Sequence, residues 1–448
     1  MRRFIGSCVL LCAVTLGLAA SARAADTTRE LITILRAKGE ISEEQYQALL
    51  GQIEEDDKAK AKTGAGKAWP EWLDRFSLFG DMRVRGEGFF QNDVTARDRF
   101  RVRARIGVNA KASDEIDGTV RLATGDPADP ISTNQSLTDL FTRKPITLDQ
   151  AFLTIKPSTT FGWSRPYLTV TAGKIPNPVF RPKAVMGSEL VFDDDLSPEG
   201  FSESLALVDS KTGFLRKLNL LGNEWSVKEI SSGADAWIFG GQLSSELALG
   251  SRVTLTAAFA NHYVSQANRI ATEANTNSAL FISNNVVLKD GTTAGGTQVK
   301  PKAENPITRF TGGFNIVNPS LQAVVDTGLP AWPVTISGDL ALNTEAKDGD
   351  DTGYWVGAGI GQTKNPGDFA FSVAYAHTET DAVVSAFSYS DFGKGGTNEE
   401  GPFVKIDWMP LPRLVVTAKN HFIKLIDAPA GKPNDTLYRL QVDAAYTF

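Results

Sequence analysis

Arginine recurs at every second position in two neighbouring segments of the chain. The residues with this spacing are Arg83 and Arg85, followed by Arg99, Arg101, Arg103 and Arg105. A two-residue period predicts that they share one face of β-strands, because successive strand side chains point to opposite sides. Guanidinium groups that line a water-filled pore attract anions. On the outside of a soluble sheet the same row would only be solvated, and that interpretation remains open here.

A second charged segment is acidic and contains Asp193, Asp194, Asp195 and Glu199. It belongs to the stretch 173–200, which is too irregular for a strand and too apolar in places for a free loop. A loop folded into the lumen of a barrel would explain both properties. We therefore expect these acids to oppose the arginines and to form a constriction. A solvated surface turn with an acidic run is the alternative.

The three histidines predict no catalytic site. His262 and His421 fall in predicted strands, and His377 ends one. None has the spacing of a Ser/His pair or of a metal-binding motif, so we predict no enzymatic activity, no metal site and no cofactor. The acids in the predicted external loop 348–351 suit calcium, although solvated loop acids are commoner.

The elements that would position these residues are strands of alternating polarity, from Phe76 to the end of the chain. In the last segment, Tyr438, Leu440, Val442, Ala444, Tyr446 and Phe448 alternate with Arg439, Gln441, Asp443, Ala445 and Thr447. The same alternation near 99–108, 253–260 and 334–343 predicts about sixteen antiparallel strands, an even number. An ordinary C-terminal strand of a secreted sandwich is the alternative for the last segment.

A closed transmembrane barrel accounts for polar faces on so many strands. Lipid offers no hydrogen-bond partners, so the sheet must close on itself, and about sixteen strands leave a wide, wet lumen. Tyr446 and Phe448 would then face lipid in an aromatic girdle. The polar segments 264–305, 344–352 and 390–401 are expected to be long loops at one end of the barrel.

The start of the chain is typical of a secretory signal peptide, residues 1–24. Arg2 and Arg3 precede an apolar run, and Ala22-Arg23-Ala24 forms a small-x-small cleavage site. Both cysteines of the chain, Cys8 and Cys12, lie in this segment. The mature chain would therefore form no disulfide and no thiolate metal site.

Residues 25–70 are predicted to form a short helical, coiled-coil-like segment and a linker in the periplasm, followed by the barrel at 71–448. Ser42 and Gln45 have the spacing of a capping box at the start of a helix. The alternative is a solvated pair of helices with no specific function.

Bulk composition is compatible with a barrel. The chain has 42% hydrophobic residues and a mean hydropathy of −0.16, values that alternating strands produce because they contain no long apolar run. Net charge is −6, and removal of Arg2, Arg3 and Arg23 with the signal peptide makes it −9. This acidic balance argues against nucleic-acid binding.

Several of these motifs together resemble a known family, the putative Gram-negative outer-membrane porins, which are distant relatives of phosphate-selective porins. They are Gly173–Phe180, the run from Asp193 to Gly200, the arginine strand, the helical N-terminus and the terminal Phe448. The resemblance implies a homotrimeric barrel for passive diffusion, a periplasmic coiled coil, and Tyr446 and Phe448 as the insertion signal for the barrel-assembly machinery. The Lys-rich central site of phosphate porins has no clear match here.

The sequence therefore predicts a porin in the outer membrane of a Gram-negative bacterium, surrounded by lipid. It would pass small hydrophilic solutes or ions with some preference for anions. The alternative is a plugged or structural barrel, in which the arginines are salt-bridged to lumenal acids and little current flows. No residue pattern identifies the transported solute.

Overall fold

The computed structural model describes residues 36, 42–51, 71–183, 186–347, 349–393, 395–429 and 434–448. The chain divides into two units, Met1–Arg75 and Phe76–Phe448. The expected signal peptide and most of the segment 25–70 lie outside the described residues. No helix in the described part of the chain is long and apolar enough to cross a membrane.

The first unit contains the predicted capping box. The Ser42 N–H donates to Gln45 Oε1 at 2.9 Å, and the Gln45 N–H donates to Ser42 Oγ at 3.2 Å. These reciprocal bonds satisfy two donors at the start of the helix formed by residues 43–51. The capping box is therefore confirmed. A short 3-10 helix, Glu71–Arg75, ends this unit.

The second unit is built almost entirely of strands. In chain order they are β1 (Phe76–Gln91), β2 (Val94–Lys111), β3 (Ile116–Thr124), β4 (Gln135–Ser136), β5 (Ile146–Ile155), β6 (Leu168–Lys174), β7 (Glu199–Asp209), β8 (Leu215–Lys228), β9 (Ala236–Leu249), β10 (Val253–Ser265), β11 (Val286–Leu288), β12 (Thr293–Ala294), β13 (Ile307–Phe310), β14 (Phe314–Val325), β15 (Val334–Asn343), β16 (Thr352–Gly361), β17 (Phe369–Thr378), β18 (Glu399–Leu411), β19 (Leu414–Leu425) and β20 (Leu437–Thr447). One short helix, α1 (Asn268–Glu273), follows β10.

Sixteen of these strands close into a single antiparallel barrel, which confirms the predicted fold class. Each pairs with the next barrel strand in sequence, and β20 returns to β1 in a register that runs from Asp81 opposite Thr447 to Phe90 opposite Tyr438. The remaining four strands lie outside this ring. β4 pairs with β2, and β11, β12 and β13 form a small sheet of their own.

The two faces of the barrel wall have the polarity that the alternation predicts. Leu78 and Ile336 are 62% and 56% exposed on the outer face, whereas Arg85 and Arg439 are 2% and 1% exposed on the inner face. Apolar side chains point outward where lipid would solvate them, and polar side chains point into the lumen.

The connections differ in length between the two ends of the barrel. The connections at 112–115, 210–214, 250–252 and 412–413 are short and lie at the end where β1 begins and β20 finishes. We call this the turn end. The opposite end, the loop end, carries the long connections 125–145, 175–198, 266–313 and 379–398, together with the tight β1–β2 hairpin at 92–93.

Two of the long connections that fold inward are called lumenal loop 1 (175–198) and lumenal loop 2 (379–398), and buried residues of a third connection, 266–313, pack in the same apolar cluster as these loops. Ile175 and Leu190 of the first and Val383 of the second are buried, and they join one apolar cluster with inward-facing Trp225 and Phe314. A long polar loop was expected at 390–401, and residues 390–398 do belong to a long connection, while β18 begins at Glu399. Most of that segment is buried inside the barrel, because the apolar residues before it hold it there.

Candidate functional site

Three polar cavities follow one another along the lumen. A cavity of about 1270 Å³ lies at the turn end, one of about 500 Å³ lies at mid-height, and one of about 660 Å³ lies toward the loop end. The first two share Lys183, Lys405 and Asp407 as lining residues. The second and third share Ser390 of lumenal loop 2.

The arginines singled out from the sequence lie on the inner wall formed by β1 and β2. Arg83, Arg85, Arg103 and Arg105 line the central cavity, and Arg99 lines the cavity at the loop end. Arg103 lies directly opposite Arg83 in the β1–β2 register. Two facing like charges need acids nearby to offset their repulsion, and the lumenal acids meet this need.

Most of these arginines are paired with carboxylates. Arg103 and Arg105 both contact Asp81, at 2.9 Å and 2.6 Å, and both contact Asp195, at 3.5 Å and 3.2 Å. Arg99 pairs with Glu87. The arginine row is therefore largely neutralised where it lies, and its net field is smaller than the sequence alone would suggest.

Arg101 is the exception in this row. Its Nη2 donates to Ser132 Oγ at 3.2 Å and to the Asn134 carbonyl at 3.3 Å. Within the described part of the chain it forms no ion pair, and its Nε has no hydrogen-bond partner. Arg83 resembles it, since its nearest carboxylate, Asp443, is 4.0 Å away.

The four predicted constriction acids do not act as one group. Asp195 lies against the arginine wall itself and accepts from Thr133 Oγ1 at 2.8 Å. Asp194 pairs with Arg181 of the same loop. Glu199 does not line the central cavity: its 63% exposed side chain pairs with Lys174 at 2.9 Å, and it lines a smaller cavity of about 260 Å³ together with Asp195. Its role as a constriction residue stays a prediction.

Asp193 links the two lumenal loops. Its carboxylate accepts from the Ser390 N–H at 2.9 Å, and its own N–H donates to the Phe387 carbonyl at 2.8 Å. Burial and the neighbouring Glu189 raise the pKa of Asp193 well above its usual range. Through these two hydrogen bonds Asp193 connects lumenal loop 1 to lumenal loop 2.

A buried ion-pair network separates the central cavity from the cavity at the loop end. We call it the junction cluster, and its members are Arg85, Glu87, Asp391, Arg439 and Asp443. Arg85 contacts Asp391 at 2.5 Å and Asp443 at 2.7 Å, and Arg439 contacts Asp391 at 2.8 Å. Arg439 also pairs with Glu87 and donates to the carbonyls of Ser390 and Gly393, both at 3.2 Å.

Lumenal loop 2 and Asp391 were not identified from the sequence. The available signal was the run Ala382-Val383-Val384-Ser385-Ala386-Phe387, which is too apolar for a solvated loop. The same criterion had placed 173–200 in the lumen. The inward direction of Arg439 and Asp443 was predicted by strand parity, but their partner on a loop was not.

The central cavity carries a balanced set of charged side chains. Its basic residues are Arg83, Arg85, Arg103, Arg105, Lys183, Lys405 and Lys419, and its acidic residues are Glu189, Asp193, Asp194, Asp195, Asp391, Asp407 and Asp443. Burial, with a smaller effect of Asp194, raises the pKa of Glu189 to about 8. Burial also raises the pKa of Asp193, so these two acids contribute less negative charge to the lining than their number suggests.

The C-terminal residue lies at the closing seam of the barrel. The Phe448 N–H donates to the Gly80 carbonyl at 3.0 Å, and the Gly80 N–H donates back to the Phe448 carbonyl at 3.2 Å. Tyr446 faces outward, and its ring centroid is 6.3 Å from that of Phe448. The end of the chain is thus hydrogen-bonded to β1 as far as Phe448.

The histidines lie apart from one another. His262 packs against Phe192 with ring centroids 5.0 Å apart, His421 stacks on Phe403, and His377 contacts Glu400 at 2.9 Å on the outer face. Among the residues described, no group of three or more His, Cys, Asp or Glu side chains is arranged to hold a metal ion. The calcium hypothesis at 348–351 includes Asp348, which lies outside that set.

A closed sixteen-stranded barrel with an apolar outer face and charged lumenal cavities defines the class of outer-membrane channels. Residues 89–299 and 322–417 match the family described as putative porin, and the chain belongs to this family. No curated protein matches the chain in sequence.

Solved structures resemble the fold at low sequence identity. OprB of Pseudomonas putida, solved at high pH, has a TM-score of 0.53 at 13% identity, over 86% of this chain and 97% of that chain. OmpF of Salmonella typhi, in complex with daunomycin, has a TM-score of 0.49 at 9% identity, over 83% of this chain and 97% of the other. At such identities the likeness concerns the fold alone.

Proposed function

We propose that the chain is a diffusion channel for small hydrophilic solutes with a preference for anions. The observation that carries this proposal is the central cavity with its arginine wall, where seven basic side chains meet seven acids and burial raises the pKa of two of those acids, Glu189 and Asp193, which lowers their contribution of negative charge. A positive lumen raises the local concentration of anions and lowers that of cations. Arg101, which lies on the same wall without an ion pair, supports the same bias.

Bilayer recording tests this function directly. The purified protein should give discrete current steps, and the reversal potential in a KCl gradient should report greater permeability to chloride than to potassium. A reversal potential that reports greater permeability to potassium than to chloride would contradict the anion preference. It would not contradict the channel function. Complete absence of steps would contradict the channel itself.

The second candidate is a plugged barrel, and one observation favours it. The junction cluster is largely buried and lies between two cavities, and the arginine wall is mostly salt-bridged. A barrel of this kind would insert into bilayers without current. Recording therefore separates the two candidates, provided that insertion is verified independently by the heat-modifiable mobility of the folded protein in SDS gels.

We also propose an orientation and an assembly state. The turn end, where β1 begins, would face the periplasm together with segment 25–70, and the loop end would face the exterior. The signal peptide 1–24 would direct export, the barrel-assembly machinery would recognise Tyr446 and Phe448, and three copies would associate through the membrane-embedded wall. Mass spectrometry of the mature N-terminus and cross-linking in membranes would test the first and last of these.

A further inference from the structure

Asp391 is held by two arginines at once in the junction cluster. Its Oδ2 lies 2.5 Å from Arg85 Nη1, and its Oδ1 lies 2.8 Å from Arg439 Nη2. The side chains of both arginines are at most 3% exposed. Each arginine also holds a carboxylate of the wall: Arg85 donates from Nε and Nη2 to Asp443, and Arg439 donates from Nε to Glu87. Asp391 is thus a second carboxylate shared by both guanidinium groups, and such charge-assisted bonds are strong where water is excluded.

The site and its occupant come from different parts of the fold. Arg85 lies on β1 and Arg439 on β20, and the closing register of the barrel holds these strands side by side. Asp391 lies on lumenal loop 2, which reaches the wall from the lumen. The arginines are therefore fixed by strand hydrogen bonds, while the carboxylate is delivered by a segment that is not part of the sheet.

The charge of the wall explains why this position favours an anion. Around it the strands supply four basic side chains, Arg83, Arg85, Arg99 and Arg439, and two acidic ones, Glu87 and Asp443. The strands alone thus have two positive charges in excess, and Asp391 offsets one of them. Without Asp391, Arg85 would keep Asp443 and Arg439 would keep Glu87 as partners, but both positive charges in excess would remain in this group, which favours another anion in its place.

We propose that Arg85 and Arg439 form a binding site for small carboxylate solutes, and that Asp391 occupies it as an internal ligand until a solute displaces it. The site is reachable from both directions, because Asp391 lines the central cavity and Arg439 lines the cavity at the loop end. Displacement would also remove the contact that joins the loop to the wall there. This inference rests on the proposed channel function and adds its substrate class.

The test is the dependence of single-channel conductance on anion concentration, with chloride, acetate and phosphate as separate probes. A binding site in the path makes conductance saturate, whereas free diffusion leaves it linear. In the wild type we expect saturation at lower concentration for acetate than for chloride. In Asp391→Asn the internal competitor is gone, so half-saturation for acetate should fall by about fivefold or more, with chloride conductance raised.

The matched control is Asp209→Asn, which removes a carboxylate that pairs with Arg165 at the turn end and lines none of the three cavities described above. It should leave half-saturation for acetate unchanged. Equal effects of the two variants, or no effect of Asp391→Asn, would overturn the proposal. Saturation by phosphate at lower concentration than by acetate would overturn the carboxylate class.

The wild-type titration keeps the test decisive even if Asp391→Asn does not fold. If the wild-type conductance rises linearly with acetate concentration, the binding site is contradicted. Chloride current steps in the same protein would show that the channel function still holds. Acetamide, the neutral isostere, should not reduce the acetate current. Absence of all current steps in a verified insertion would instead contradict the channel function on which this inference rests.

Discussion

At the scale of single residues, strand parity predicted which side chains face the lumen, and long-range contacts determine what those side chains do. The six arginines were assigned to one face because a β-strand has a period of two, and they lie on the inner wall. Their partners could not be deduced in the same way. Asp195 and Asp391 reach the wall from loops that are distant in sequence, and no local pattern encodes that approach.

Glu189 makes the anion preference depend on pH. Because burial raises its pKa to about 8, the carboxyl is neutral below that pH and adds one negative charge to the central cavity above it. Anion selectivity, measured as the reversal potential in a KCl gradient, should therefore decrease as pH rises through about 8. Glu189→Gln should abolish this step, and Glu199→Gln, which removes a carboxylate that does not line the central cavity, should keep it.

Arg101 is expected to contribute more to anion selectivity than the neighbouring arginines that form ion pairs, because no carboxylate in the described structure pairs with it. Arg101→Gln should lower the chloride-to-potassium permeability ratio by roughly twofold, as measured from reversal potentials. Arg165→Gln removes an arginine that pairs with Asp209 at the turn end, and it should have no such effect. An unchanged ratio in Arg101→Gln would mean that this residue is not exposed to the ion path.

At the scale of elements, the strands were predicted well and the lumenal loops only in part. Sixteen alternating segments specify a barrel because each has one apolar and one polar face. Lumenal loop 1 was identified from its mixed apolar and acidic composition. Lumenal loop 2 was missed, because its polar, glycine-rich end from Ser390 onward resembles an external loop and obscured the apolar run before it.

Lumenal loop 2 stays inside the barrel through apolar burial, and Val383 is fully buried there. Val383→Asp would place an unpaired charge in this cluster, at a cost of several kcal/mol, so the loop should leave the lumen. Conductance should rise, and the loop should become accessible to protease added to intact cells. Val383→Ala, which creates only a small cavity, should remain protected. A protected loop in Val383→Asp would contradict this account.

At the scale of the whole molecule, closure of the barrel depends on the seam between β1 and β20. A Cβ atom at Gly80 would lie 2.3 Å from the Arg105 carbonyl oxygen and 2.6 Å from the Phe448 ring. Gly80→Val should therefore impair closure and reduce the fraction of heat-modifiable, folded protein in SDS gels. Gly338→Val is the matched control, because a Cβ at Gly338, also on a barrel strand, meets nothing within 4 Å. Equal folding of the two variants would show that the seam tolerates the added bulk.

The apolar cluster inside the barrel also has a consequence for molecular sieving. Its residues on barrel strands come from β8, β9, β10 and β14 to β19, whereas no residue of β1, β2 or β20 belongs to it, and these three strands carry much of the charged wall of the cavity at mid-height. The route for a solute is therefore an off-axis slot along one side of the cylinder. Its cross-section depends on how the two inner loops pack and not on the circumference of the wall. Two barrels with the same strand number can thus have very different exclusion limits, and a change of a few loop residues can widen or narrow this one without rebuilding the wall.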